Sequence, residues 1–502
     1  MLRTKLSLNY AKVSKTVRYL ASNVSGPIST EAENQNLKPW SAIPGPKSFP
    51  FIGPILNFFP GGKFYSLNGD KVFQKMHELY GPIIKFRGSF GRPDMVFLFD
   101  AETTAMVLRN EDVFPARPGF QSVEYYRYEY KKRKRSGLLT DQGEIWKQFR
   151  TTVNPVMLQP KTIKLYEKSI DEVAQDMIKR LKTLRDDNLM LPNNFGEEMN
   201  LWALESVAIV ALGRRLNSFD LNLPEDSPAK RLVKCVRDIF ITANELDIMP
   251  SLWLYIPTRK FKKAMKLYEE QEELAKSFIK ETEEEIKKGK SSAEDQAGVL
   301  EKLLKIDKEI AYIMATDMLL AGVDTTSNSV TSALYLLASN PEKQDKLRKE
   351  ILQSKERKYL KACVKETLRL IPVVAGNMRI VSKEYNLFGY KIPKGSRVGF
   401  AYQAMSNMEC HFTRASEFIP ERWTVAKDDP LYYGRAHPFA YTPFGFGTRS
   451  CIGRRIAELE METFLTRLIE NFNVEWSGSP PKIVSTSLNY MAGPFGFVLK
   501  DL

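Results

Sequence analysis

Phe444-Gly445-Phe446-Gly447-Thr448-Arg449-Ser450-Cys451-Ile452-Gly453 is the stretch that decides the fold of this 502-residue chain. A single cysteine closes a glycine-punctuated loop, and an apolar pattern of helical period follows it at once. The spacing Phe-x-x-Gly-x-Arg-x-Cys-x-Gly is long and mixed in chemistry. Gly447 admits backbone conformations that a Cβ forbids, and Gly453 lets the chain turn closely into the next helix. Cys451 then lies at a helix N-terminus, where free N–H groups and the positive dipole end favour a thiolate. Arg449 offers a fixed fork of donors for a carboxylate, and Phe444 can pack on a flat ring and screen the sulfur. Taken alone, Cys451 reads better as an ordinary buried thiol. The ten-residue pattern is what sets it apart.

That pattern resembles the haem-thiolate loop of the cytochromes P450. The resemblance extends over about residues 37–502 and implies a mainly α fold with small β-sheets. Haem b would lie between a long distal helix and the proximal Cys-loop helix, with Cys451 as the axial iron ligand. Phe444, Gly447, Arg449 and Gly453 would complete the cofactor loop. A thiolate ligand pushes electron density onto the iron and favours O–O cleavage.

Residues 306–340 contain no proline until Pro341 ends them, and as one helix they would run roughly 50 Å at about 1.5 Å per residue. Their middle, Ala321-Gly322-Val323-Asp324-Thr325-Thr326, breaks the apolar pattern. Gly322 permits close approach, and hydroxyls here can bond back to i−4 carbonyls. A helix cap or a satisfied polar cluster also fits these residues. By the resemblance, Thr325 hydrogen-bonds at the dioxygen position and Asp324 helps deliver protons from solvent.

Other positions gain meaning only from the family. Glu366 and Arg369 stand one helical turn apart, and with Arg422 they match a buried structural ion network. Trp146, Arg150, Arg379 and Arg449 match four donors for the two haem propionates. Lys361 and Lys365, with Arg454 and Arg455, match the mitochondrial type, in which they dock an acidic adrenodoxin-type ferredoxin. NADPH would act only indirectly, through ferredoxin reductase and ferredoxin. No G-x-G-x-x-G phosphate loop occurs, so electrons are expected from a partner.

Composition is that of a globular protein, 43% hydrophobic and 27% charged, with length for a large core. Four widely spaced cysteines suggest thiols rather than a disulfide framework. A net charge of +14 could attract an anionic membrane, an acidic protein or nucleic acid. The run Lys131-Lys132-Arg133-Lys134-Arg135 lacks any recognition motif beside it, so a solvated basic loop is expected and no nucleic acid.

Before Glu31 the chain holds Arg3, Lys5, Lys12, Lys15 and Arg18 with no acid, apolar residues near helical spacing and several hydroxyls. That is the pattern of a mitochondrial transit peptide; a mobile basic tail is the plainer reading. We place it at residues 1–36, with the haem domain at 37–502 after a Pro-rich start. No run of about 18 apolar residues suggests a membrane span. The expected address is the matrix side of the inner mitochondrial membrane, with peripheral contact.

Residues 161–184 and 258–288 read as long amphipathic helices, with Gly289 as a stop, and 381–397 as short strands and turns. One departure from mitochondrial relatives is visible: only eight residues, 351–358, separate Glu350 from Tyr359, where a longer connection is usual. The expected function is insertion of one oxygen atom from O2 into a lipophilic substrate, a steroid or a foreign compound. The alternatives are an isomerase or dehydratase of the same family that needs no external electrons, and a non-catalytic haem-binding descendant.

Overall fold

The structure, a computed structural model, describes residues 37–288 and 297–502. The expected targeting segment, 1–36, and Gly289 lie outside the described residues.

Helices carry the molecule. Those that build the site are α1 (Asp70–Tyr80), α2 (Ala101–Arg109), α3 (Gly143–Met157), α4 (Glu167–Leu184), α5 (Phe195–Leu212), α6 (Pro228–Ala243), α7 (Arg259–Lys287), α8 (Lys308–Ala338), α9 (Pro341–Gln353), α10 (Lys358–Leu370) and α11 (Arg454–Asn471). The strands are short: β1 (Ile83–Phe86), β2 (Met95–Leu98), β3 (Asn377–Ile380), β4 (Tyr385–Leu387), β5 (Tyr390–Ile392), β6 (Arg397–Phe400), β7 (Phe472–Trp476), β8 (Lys482–Ser485), β9 (Asn489–Ala492) and β10 (Phe497–Asp501).

One sheet has the order β1-β2-β6-β3, with β2 parallel to β6 and the other pairs antiparallel. The remaining strands pair antiparallel, β4 with β5, β8 with β9 and β7 with β10. In β4-β5, Leu387 pairs with Tyr390 across Phe388 and Gly389, both at positive φ, which suits a type I′ turn. Lys38 donates its amide to Gly389 O and accepts from Lys391 N, which ties the start of the domain to β5.

The centre is α8, 31 residues long and buried around most of its circumference. Asp307 caps it by accepting from Ile310 N at 3.0 Å. Helix α5 is likewise buried around most of its circumference and packs along it. Gly322 is the contact point: a Cβ there would sit 2.6 Å from Val207 Cγ2 of α5. The expected back-bonding is present, with Thr325 Oγ1 donating to Ala321 O at 2.6 Å and Ser329 Oγ to Thr325 O at 2.8 Å. The helix is nevertheless unbroken.

Two expectations change. Residues 161–184 are not one helix: Pro160–Leu165 ends at Tyr166, whose amide bonds to Ile163 O in an i−3 step before α4 begins. The basic run is not merely solvated. Lys131 pairs with Glu269 and Arg133 with Glu272 of α7, and Arg135 pairs with Asp307 at the head of α8. Alternate residues of the run thus point at acids brought by distant segments.

Candidate active site

The cysteine loop owes its shape to two left-handed glycines, Gly445 at φ 74° and Gly447 at φ 71°. An L side chain there would be strained. Gly447–Arg449 forms a 3-10 turn, and Cys451 N donates to Phe444 O at 2.9 Å, closing the loop. Gly453 then serves as N-cap of α11. The amides of Gly453 and Arg454 point at the Cys451 sulfur.

Cys451 is accessible to solvent yet crowded by protein, as a group on the wall of an internal cleft is. Burial raises its thiol pKa, while the two amides and the guanidinia of Arg150 and Arg117 pull it down. The net direction is upward. The helix terminus therefore lends the thiolate support without being enough to ionise it; a cation on the sulfur would supply the rest.

Four arginines surround this loop. Arg150 and Trp146 project from one face of α3, both buried. Arg379 comes from β3 and pairs with Glu111 at 2.5 Å. Arg449 stacks on the Trp146 ring, its guanidinium carbon 3.8 Å from the centroid. Its donors run to Pro115 O at 3.0 Å, Asp141 O at 2.9 Å and Gln142 Oε1 at 3.0 Å. The fourth is Arg117, which the motif reading passed over. Burial, first of all, and then the neighbouring guanidinia lower the pKa of Arg117 and of Arg449.

Arg117 is held through its backbone. It stands between Pro115 and Pro118 in an extended segment, Ala116 bridges to Ile380 beside Arg379, and Gln142 bonds both its amide and its carbonyl. The flanking prolines were the available signal, since Pro fixes its own φ and extends the residue before it.

These residues suit haem b. Glu111 is the one acid paired with this arginine group among the described contacts, and burial holds its pKa up. Arg150 Nε and Arg379 Nη2 are buried without a hydrogen-bond partner. Cations in excess, with orphaned donors, fit two propionates; a lone thiol beside them fits one axial ligand.

On α8, Asp324 is buried with Oδ1 unpartnered, and burial pushes its carboxyl up to about 7; Arg237 of α6 opposes this. Arg237 is exposed and pairs loosely with Glu197 at 3.9 Å. The neighbouring Thr326 lies beside the buried Glu460 of α11, whose Oε1 has no hydrogen-bond partner and whose carboxyl burial raises to about 8. The distal polar patch and the Cys451 helix are therefore in direct contact.

Glu366, Arg369 and Arg422 form one network at zero exposure. Arg369 Nη2 reaches Glu366 Oε1 at 2.8 Å and Arg422 Nε the same oxygen at 2.9 Å. Trp423 Nε1 donates to Glu366 Oε2 at 2.8 Å. Arg369 also binds the carbonyls of Ser406, Ala415 and Glu417, so the network pins the irregular 406–423 segment to α10.

Lys361 and Lys365 are exposed on α10 and act together on Glu462 of α11, whose carboxyl burial lifts to about 7. Arg454 borders them through Glu458, at 2.9 Å. Arg455 points elsewhere and donates to Leu158 O at the end of α3. Three of the four expected partner residues therefore share one rim.

Residues 43–499 match the sequence profile of the family Cytochrome P450. The chain is 40% identical to cytochrome P450 CYP12A2 of Musca domestica over 484 residues, 91% of this chain and 89% of that one. It is 35% identical to cytochrome P450 12b1, mitochondrial, of Drosophila acanthoptera, covering 95% and 92%. It is also 35% identical to probable cytochrome P450 12a5, mitochondrial, of Drosophila melanogaster over the full length of both.

Proposed function

The chain belongs to the cytochrome P450 family of haem monooxygenases, and on that premise we propose that it is a mitochondrial enzyme fed by an acidic ferredoxin. The overall reaction consumes a lipophilic substrate, O2, two electrons and two protons, and yields the hydroxylated product and water. The observation that carries this reading is the meeting of a single thiol, Cys451, with a surplus of buried guanidinia. Bound there, haem supplies a redox-active iron able to reduce dioxygen.

The chain's own residues do the rest. Arg117, Arg150 and Arg379 would hold the propionates, and Arg449 fixes the loop that carries Cys451. Asp324, with a carboxyl near pKa 7, exchanges protons at neutral pH. Its electrostatic partner Arg237 reaches the surface, which supports proton supply from that side. Thr325 Oγ1 now donates to Ala321 O; rotation about χ1 would free that proton for the reacting oxygen.

Ferredoxin as donor is supported by the cationic rim of Lys361, Lys365 and Arg454, which would steer an acidic protein to the Cys451 side. Mitochondrial residence is supported by the names of the relatives and by the basic N-terminal segment, with 1–36 as targeting peptide and 37–502 as haem domain. Peripheral membrane contact is supported by two exposed apolar segments. Phe49, Phe51, Phe59 and Tyr65 lie in one, and Ile248, Met249, Tyr255 and Ile256 in the other. The Phe51 ring packs on Phe90 at 5.3 Å, and Tyr255 donates to Phe90 O at 3.1 Å, so both segments share one face. No described helix is long and apolar enough to cross a membrane.

The test is reconstitution with ferredoxin, its reductase and NADPH. Turnover that needs all three supports the reading, whereas product formed without reductant would assign the electron-independent isomerase or dehydratase class. A spin-shift screen with ecdysteroids and insecticides identifies the substrate class. Cys451→Ala should abolish the red-shifted Soret band of the CO-bound ferrous form, and an unaltered band rejects the ligand.

A further inference from the structure

We propose that Glu350 is a positioning residue for electron delivery: from α9 it caps the first turn of α10 and so sets the register in which Lys361 meets the acidic partner. The inference rests on the ferredoxin reading above.

The connection is short. Helix α9 ends at Gln353 and α10 begins at Lys358. Arg357, in the N-cap position, lies in the left-handed region at φ 53° and gives α10 no side-chain cap. Its guanidinium instead donates back to Ile351 O at 2.9 Å. A helix start leaves up to four amides without intrahelical partners. Here Glu350 takes two of them, one with each carboxylate oxygen: Tyr359 N donates to Oε1 at 2.7 Å and Leu360 N to Oε2 at 2.9 Å. A carboxylate in this place also meets the positive end of the helix dipole.

A second acid secures the same turn from outside. Tyr359 OH donates to Glu421 Oε1 at 2.8 Å, and Lys346 Nζ, bonded to that oxygen, lies 4.5 Å from the Tyr359 ring centroid. Lys361 N makes an early bond of the helix, to Arg357 O at 3.1 Å, so Lys361 belongs to the turn that these acids hold. Glu366 lies beyond it in the buried network. Loss of the cap should therefore loosen Lys361 and leave the network intact. A lost side-chain cap of ordinary strength shifts the formed-to-frayed ratio about fivefold.

The sign of the effect separates capping from charge. Glu350 is an acid near a cationic docking rim, so if it acted only through its charge, its removal would strengthen ferredoxin binding. Capping predicts the reverse. In the reconstituted holoenzyme, Glu350→Ala should raise the ferredoxin KM about three- to fivefold, with kcat at saturating ferredoxin held. Glu350→Gln, which keeps one acceptor, should fall between it and the wild type. Hydrogen exchange of the peptide spanning 358–364 should quicken in Glu350→Ala, while that spanning 365–370 stays protected.

A lower KM, an unchanged KM, or equal loss of kcat and haem content at constant KM each overturns the proposal. Lys361→Glu is run beside it. If that change leaves the ferredoxin KM unmoved, the docking reading fails, and this inference with it. If Lys361→Glu raises KM and Glu350→Ala does not, only the capping inference fails.

Discussion

The guanidinium of Arg449 lies on the face of the Trp146 indole, 3.8 Å from its centroid, while its nitrogens bind the carbonyls of Pro115 and Asp141. One side chain thus joins the cysteine loop to α3 and to the segment that carries Arg117. Lys cannot reproduce that planar fork and stack. Arg449→Lys should lower the haem retained through gel filtration, read as haem per polypeptide, and Trp146→Phe should cost less than Trp146→Ala.

Asp324 yields a pH signature. Its folded pKa, about 7, stands above the ordinary carboxyl value because of burial. Between the unfolded value and about 7 the folded state holds the extra proton, so stability falls as pH rises through that window, at most about 1.4 kcal/mol per unit. Asp324→Asn carries no such penalty. Its melting temperature relative to wild type should climb from pH 5 to pH 8, and a flat difference would contradict the buried acid.

Thr325→Ala should uncouple electron use from product. The ratio of product to NADPH consumed should drop severalfold, a loss of order 1 kcal/mol for one hydrogen bond. NADPH oxidation should continue, because neither the thiol nor the partner rim is touched. Unchanged coupling would remove Thr325 from the proton path.

The network around Glu366 should matter for folding. Its three members have no solvent exposure, and removing one partner from such a group costs about 3–5 kcal/mol. Glu366→Gln should be recovered largely without haem, with a sharply lowered melting temperature; a normal yield of holoenzyme would count against this role.

Lys361→Glu together with Lys365→Glu should raise the ferredoxin KM most at low salt and progressively less toward 0.5 M, since exposed charges are screened over a Debye length of about 10 Å at 0.1 M. Arg455→Glu should do less than Arg454→Glu, because Arg455 is turned toward the end of α3.

Much was legible because it is local. The left-handed Gly447, the Cys451 position ahead of α11 and the long helices α7 and α8 all depend on neighbours within a turn or two. Arg117 was missed because its meaning depends on residues hundreds of positions away. The basic run was misread in part for the same reason: Glu269, Glu272 and Asp307 approach it only after folding.

Residue spacing by itself determined that a polar break in a long apolar helix, the Glu366–Arg369 pair and the Cys451 loop follow one another along the chain, since helix period and glycine conformation follow from the chain alone. Tertiary structure alone decided what those groups meet. Four guanidinia converge beside Cys451, Glu460 reaches Thr326 from the proximal helix, and Glu350 completes a helix that its own connection leaves uncapped. Buried polar groups need partners, and most of those partners are chosen by packing rather than by sequence distance.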